Sequence, residues 1–126
     1  MKYMLLMQGP ASGMKQFGQM PVEDIRAHIE FMKTVNAELR AAGELVDAQG
    51  LTPPNETKIV RNQGGKMTVT DGPFPESKEF LAGYWVVDVK SEQRVLEIAT
   101  RISGAPGRGG APMSITIEVR PVEHAQ

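Results

Sequence analysis

Cysteine is absent from the 126-residue sequence. Its absence excludes disulfide bonds, thiolate catalysis and cysteine-based metal sites. A strong charge of either sign is also absent: the formal net charge is -1, so no surface for nucleic acid is indicated. The apolar run at residues 3–7 is too short for a signal-peptide core or a membrane helix. We therefore expect a soluble, cytoplasmic protein that binds neither nucleic acid nor membrane.

Motifs for cofactors are equally scarce. The flexible glycine-rich loop predicted at residues 104–112 lacks the preceding strand, the following helix and the Lys-Ser or Lys-Thr pair of a phosphate-binding loop. Only two histidines are present, and His124 falls in a predicted frayed tail, so a metal site is weakly supported. We expect no flavin, nicotinamide, nucleotide or metal cofactor. With 40% hydrophobic and 23% charged residues, the chain is typical of one globular domain spanning residues 1–126.

Periodicity predicts alternating strands and helices. Apolar residues at three- and four-residue spacing predict a helix from Pro21 to Gly43, and Ser91 is a suitable N-cap for a second helix ending at Ile102. Residues 11–20, which include two glycines, are predicted as a loop. The predicted strands lie at residues 2–8, 44–49, 57–61, 67–70, 84–89 and 113–121. This order predicts an α+β, ferredoxin-like split βαβ fold with an inserted hairpin and both helices on one face of the sheet.

The sheet of such a fold has a second face that the two helices do not cover. Residues 3–7 and 84–87 are apolar at successive positions, so both faces of these strands favour burial. An exposed apolar face of that size is unusual for a monomer. We expect a two-fold homodimer, sheet against sheet, with Thr116, Glu118 and Arg120 lining a cleft beside the interface.

The most unusual stretch of the chain is Thr70–Glu79, which combines one glycine, two prolines and three carboxylates. The prolines stiffen the backbone, Gly72 permits backbone angles closed to other residues, and Asp71 and Phe74 are thereby held in set directions. One interpretation is a rigid connection in which Asp71 caps a turn through its own side chain. The other is the wall of a site, with Asp71 as the polar group at its floor.

His28 is the second candidate site residue. At about 100° per residue it falls inside the apolar sector of the first predicted helix, between Val35 and Leu39. Its side chain is therefore expected to point toward the sheet, and Asp24, four residues earlier, is placed to form a hydrogen bond with it. Two roles fit this position: a packed core histidine with one satisfied nitrogen, or a catalytic group.

Several runs of the sequence resemble one known family. They are Val69-Thr70-Asp71-Gly72-Pro73-Phe74, then Glu76, Lys78-Glu79 and Gly83-Tyr84, with Glu118-Val119-Arg120-Pro121-Val122 near the end. These runs are similar to the signature of the YCII-related proteins that carry a DGPF motif, and the resemblance covers about residues 1–122. It implies a dimeric α+β barrel in which each chain is a single domain. It leaves function open, because the activities of that family are mostly unassigned.

The same resemblance points to a catalytic pair. His28 matches the family's histidine on the first helix, which is often proposed to form an acid/base dyad with an aspartate. That aspartate can lie just before the glycine that ends the helix, where residues 40–42 here are arginine, alanine and alanine. The usual partner is therefore absent, and Asp71 or Asp24 would have to replace it.

Three functions are open at this point. The first is a small cofactor-free enzyme that performs proton transfer, such as an elimination, isomerisation or lyase step, on a ring or enol-type molecule. His28 would be the general base and Asp71 its partner. Phe74, Glu118 and Arg120 would bind the substrate, with Arg120 holding an anionic group. The second is a non-catalytic ligand-binding or regulatory module, because related domains occur beside sigma factors. The third is an interaction domain in which the motif is structural.

Overall fold

The computed structural model describes residues 1–72 and 79–123. The strands are β1 (Lys2–Gly9), β2 (Leu45–Gly50), β3 (Lys58–Gln63), β4 (Lys66–Asp71), β5 (Phe80–Asp88) and β6 (Thr116–Pro121), and the helices are α1 (Ala11–Gly18), α2 (Val22–Ala41) and α3 (Glu92–Ser103). Short 3₁₀ turns lie at Pro54–Glu56 and Arg108–Gly110. Strands β2, β5, β1 and β6 form, in that order, an antiparallel sheet. The predicted ferredoxin-like α+β fold is confirmed.

The core lies between one face of this sheet and the two long helices. Its buried side chains are Tyr3, Leu5, Trp85, Val87 and Val89 from the sheet side, Val35 and Leu39 from α2, and Val95, Ile98, Ala99 and Ile102 from α3. Both helix ends follow the predicted chemistry. Gly43 has a φ of 73° just beyond α2, and Ser91 Oγ accepts a hydrogen bond from Arg94 N at the start of α3. No helix in the described ranges is both long and apolar enough to cross a membrane.

Residues 11–20 differ from the prediction, because α1 replaces most of the expected loop. Met14 and Phe17, three residues apart, share one face of this helix, and both line the cavity described below. Phe17 also packs against His28, with 4.8 Å between the ring centroids. These contacts outweigh the low helix propensity of Gly13 and Gly18, which had favoured a loop.

The segment 104–112, predicted as a flexible loop, is closed by its own hydrogen bonds. Gly107 N donates to Ala111 O at 2.7 Å, and Met113 N donates to Ala105 O at 2.9 Å. Asp24 Oδ2 accepts a hydrogen bond from Gly109 N at 3.0 Å, which fastens the loop to the start of α2. The loop therefore holds its carbonyl groups in set positions beside that helix.

Strands β3 and β4 form a separate two-stranded sheet, which is the predicted inserted hairpin. Its turn is Gly64-Gly65, with φ of 59° and 85°, values that glycine adopts without strain. Gly72, just after β4, was expected to be needed for its backbone freedom. It is needed instead because there is little room for a side chain at this position. Its φ is not positive, but a Cβ there would lie 3.0 Å from Ile59 Cγ1 and from Thr57 Cγ2.

The second face of the four-stranded sheet turns away from α2 and α3. Met4 and Leu6 of β1 lie on it, directly opposite Val86 and Tyr84 of β5, and all four residues are half-buried. The two-sided apolar character of these strands is thus present in the folded chain. Coverage of this face by a second copy stays a prediction.

Candidate functional site

A cavity of about 660 Å³ is lined by residues of α1 and α2 and by parts of β1, β2 and β5, near the point where β1 leads into α1. Several residues of its lining are small: Gly9 in β1, Ala48 and Gly50 in β2, and Gly83 in β5. A Cβ at Gly9 or Gly50 would meet no atom within 4 Å, whereas a Cβ at Gly83 would lie 2.9 Å from the carbonyl oxygen of Gln49 in the neighbouring strand. The volume is in the range of pockets that hold small organic ligands.

His28 projects from α2 into the lining of this cavity. The residue is 8% exposed, and its Nδ1 lies 3.0 Å from the carbonyl oxygen of Pro106. The predicted hydrogen bond to Asp24 is absent among the described contacts, because the Asp24 carboxylate binds Gly109 N instead. Loop 104–112 therefore holds both side chains, and its backbone takes the place of the expected carboxylate partner.

The Pro106 carbonyl decides which His28 nitrogen carries the hydrogen in the neutral ring. A carbonyl oxygen only accepts, so Nδ1 is the donor and Nε2 has the free lone pair. Nε2 meets no hydrogen-bonding group within residues 1–72 and 79–123, and no side-chain nitrogen or oxygen there is both buried and unpaired. Because His28 lines the cavity and Nδ1 is held by Pro106, Nε2 is the ring nitrogen left to meet a bound ligand.

A second polar pair lines the cavity, although sequence reasoning did not single it out. Trp85 Nε1 donates a hydrogen bond to Asn36 Oδ1 at 2.8 Å, which joins β5 to α2. Asn36 is half-buried and lies eight residues after His28 on the helix. The available signal was a polar amide beside Val35, within a helix whose inner face is apolar apart from His28.

Asp71 lies at the end of hairpin strand β4 and is not among the described residues that line the cavity. Its side chain is 82% exposed and pairs with Lys58, its register partner on β3. Among the described contacts, Asp71 neither caps a turn nor touches His28. The folded chain thus places the two predicted catalytic residues in different surroundings.

Glu118 and Arg120 lie on β6 opposite Leu6 and Met4, on the sheet face that turns away from the long helices. Glu118 Oε1 accepts a hydrogen bond from Gln8 Nε2 at 3.3 Å, and Arg120 Nε is 4.0 Å from Glu118 Oε2. Neither residue is in the described cavity lining, so an anion held by Arg120 would bind at the sheet face and not in the cavity.

Phe74, the predicted wall of the site, lies outside the described residues. Its role therefore stays a prediction.

Tyr84 stands at the cavity edge but directs its hydroxyl to Asp47, whose Oδ2 accepts at 3.0 Å. This hydrogen bond to a carboxylate raises the pKa of Tyr84 above its ordinary value of 10.0, and desolvation adds to the effect. Tyr84 therefore stays protonated at neutral pH and is a donor, not a base.

Charge is scarce in the cavity lining. Among the described lining residues, Glu79 is the one acidic side chain, and none is lysine or arginine. Within the described ranges, no group of three His, Cys, Asp or Glu side chains is placed to hold a metal ion. The lining instead includes four methionines, Met7, Met14, Met32 and Met113, whose flexible thioethers adapt to apolar and aromatic ligands.

Ser114 lines the cavity with a backbone φ of 54°, which is unusual for a residue other than glycine. Flanking hydrogen bonds hold it there: Met113 N donates to Ala105 O at 2.9 Å, and Ile115 N donates to Ser103 O at 3.0 Å. Such strained residues cost about 1–3 kcal/mol and cluster at functional sites. This observation supports the cavity as the functional site.

The sequence is similar to known proteins over most of its length. A family model of the YCII-related domain matches residues 1–107. An uncharacterized protein of Rhizobium meliloti (strain 1021) is 32% identical over 91 residues, which cover 72% of this chain and 69% of that protein. The range matched by the family model contains His28, Asn36, Trp85 and Pro106.

Proposed function

The chain belongs to the YCII-related domain family, and from this premise we propose that it is a small cofactor-free enzyme that transfers a proton on an organic molecule bound in the cavity. His28 is the general base. The reaction class is an isomerisation, an elimination or a related lyase step. One observation carries this proposal: His28 lines the cavity with its Nδ1 held by the Pro106 carbonyl, so Nε2 is the ring nitrogen available to a ligand.

In the proposed reaction, Nε2 removes a proton from an acidic C–H of the substrate, and the bonding electron pair stays on the substrate. The imidazolium keeps its Nδ1–H hydrogen bond to the Pro106 carbonyl, whose partial negative charge stabilises the cation. In an isomerisation, Nε2 returns the proton to a different atom of the substrate. In an elimination, the electron pair expels a leaving group, which takes up the proton.

The second candidate is a non-catalytic ligand-binding or regulatory domain. It is favoured because, among the described residues, no carboxylate forms a hydrogen bond with His28 to complete an acid/base dyad. A largely apolar cavity that offers an imidazole and an amide is sufficient to bind a ligand without converting it.

Exchange of substrate hydrogens with heavy water separates the two candidates, since it reports proton transfer before the natural substrate is known. Enolisable aryl ketones are incubated with the protein in heavy water, and the loss of their C–H signals is followed by proton NMR. We expect the wild-type protein to accelerate exchange and His28→Asn to abolish the acceleration. Asparagine keeps an N–H near the position of Nδ1 but provides no base in place of Nε2.

Two further variants complete the test. Leu96→Ala changes an exposed position of α3, outside the described cavity lining, and should exchange like the wild type. Ala48→Leu adds bulk to the cavity lining and should weaken both binding and exchange. Ketones that bind the wild-type protein without any exchange would contradict the enzyme and support the binding domain.

A further inference from the structure

The Asn36 side chain presents two chemically different ends. Its Oδ1 accepts the hydrogen bond from Trp85 Nε1, and because an indole N–H can only donate, this end of the amide is fixed. The Nδ2 end meets no acceptor within residues 1–72 and 79–123. Asn36 is half-buried, so part of the residue is accessible. Asn36 therefore offers a hydrogen-bond donor to the cavity that it lines.

Helix α2 sets the spacing between this donor and the His28 base. The two residues are eight positions apart, about 12 Å along a helix axis that rises by roughly 1.5 Å per residue. Met32 occupies the turn between them and also lines the cavity. A ligand that reaches both polar groups must be elongated and apolar in its middle.

The charges of the cavity lining restrict further which ligands fit. No lysine or arginine is among its described residues, so the described lining offers an anion no cationic partner. Placing an unpaired carboxylate or phosphate against such a lining is costly. The methionines of the lining provide polarisable contacts that suit an aromatic ring.

We infer that Asn36 is the substrate-anchoring residue of this cavity, and that the substrate is an uncharged, elongated molecule with an apolar middle. A carbonyl or ether oxygen at one end accepts the hydrogen bond from Asn36 Nδ2, and the reacting C–H lies at the other end, beside His28. The inference rests on the proposed function, because it assigns the reacting end to the His28 base. Arg120 has no role in holding this substrate, because it lies outside the described cavity lining.

Three para-substituted acetophenones of similar shape test the inference. Para-diacetylbenzene has an acceptor oxygen at one end and an enolisable methyl ketone at the other. Para-ethylacetophenone lacks the second oxygen, and para-acetylbenzoate carries a charge in its place. Binding is followed by NMR of nitrogen-15-labelled protein, through the indole N–H signal of Trp85, the single tryptophan of the chain. We expect para-diacetylbenzene to bind the wild type about three- to tenfold more tightly than either of the other probes.

Asn36→Asp keeps an oxygen for Trp85 but replaces the donor with an acceptor, so the preference for para-diacetylbenzene over para-ethylacetophenone should disappear. Asn36→Leu removes the amide without adding charge and should abolish the same preference. A preference that persists in both variants would overturn the role of Asn36. Failure of para-diacetylbenzene to bind, or equal binding of para-acetylbenzoate by the wild type, would overturn the substrate class.

Failure of this inference is distinguishable from failure of the proposed function. If para-diacetylbenzene binds with the Asn36-dependent preference but its methyl hydrogens do not exchange, the anchor stands and the catalytic role of His28 fails. If the hydrogens exchange with the same KM in the wild type and in Asn36→Asp, catalysis stands and the anchor fails.

Discussion

His28 Nδ1 on α2 lies 3.0 Å from the carbonyl oxygen of Pro106, in the loop that follows α3. The chain has no aspartate at residues 40–42, and a main-chain carbonyl orients the imidazole in place of a carboxylate. Such a carbonyl fixes the tautomer without contributing a full negative charge. The position of the Pro106 carbonyl depends on how the loop packs. At the next residue, Gly107, an added Cβ would lie 2.6 Å from Met113 Cγ, so the loop is closely packed there.

Replacement of His28 measures what this hydrogen bond contributes to stability. His28→Leu leaves the half-buried Pro106 carbonyl without its donor, so the free energy of unfolding should fall by about 1–3 kcal/mol. His28→Asn retains a donor and should lose less. Urea unfolding followed by Trp85 fluorescence gives both values. Equal stability of His28→Leu and the wild type would show that the hydrogen bond contributes nothing.

We propose that a second copy of the chain covers Met4, Leu6 and Val86, on the sheet face that the long helices leave open. Light scattering at micromolar concentration should then give about twice the 13.8 kDa chain mass. Val86→Lys should produce a monomer, because an unpaired ammonium group is costly in an apolar interface. Leu96→Lys, at an exposed position of α3, is the matched control and should stay dimeric. A monomeric wild-type protein would contradict the proposed dimer.

Asp71→Asn should leave the fold intact, because the side chain is 82% exposed and its described partner is Lys58. An exposed ion pair contributes about 0–1 kcal/mol. Gly72→Val should be more damaging, at about 1–3 kcal/mol for overpacking, since its Cβ would lie 3.0 Å from atoms of Ile59 and Thr57. Thermal melts check the ranking. A larger loss in Asp71→Asn would indicate that this carboxylate has a structural role beyond the ion pair.

Arg94 and Glu44 form two hydrogen bonds, of 2.9 and 2.8 Å, that join α3 to the segment before β2. The hydrogen bonding to Arg94 lowers the pKa of Glu44 below its ordinary value of 4.5. The folded state therefore binds fewer protons than the unfolded state as Glu44 titrates. The stability that results is present above pH 4.5 and is lost as the pH falls through the folded-state pKa.

The Glu44→Gln variant isolates this contribution. Because the group is partly exposed, we expect about 1 kcal/mol at neutral pH, and the wild-type advantage should shrink in acid. Urea midpoints of the two proteins, measured at roughly pH 7 and pH 3 on either side of the carboxyl titration, give the difference directly. An advantage that is unchanged in acid would rule out Glu44 as its source.

The sequence by itself determined most of the fold, because the signals for the strands and the two long helices are local. Helix α1 is the exception, because its glycines favour a loop and its packing, including the Phe17–His28 contact, decided otherwise. The apolar spacing of α2, the glycine that follows it and the Ser91 cap of α3 were all visible in short windows of sequence. Along β6, Ile117 and Val119 pack against the core and alternate with Glu118 and Arg120, an alternation that is visible in the sequence. Local periodicity is sufficient to choose between helix and strand and to select the buried face.

The partners of the polar side chains were decided only by the tertiary structure. Sequence proximity suggested Asp24 for His28, yet the imidazole meets a carbonyl 78 positions along the chain, while Asp24 holds the same loop at Gly109. Asn36 meets Trp85 across 49 positions. Such pairs arise when α2 packs over the sheet and the loop after α3 folds back on it. No local sequence pattern encodes that packing, because it depends on how all the side chains of the core fit together.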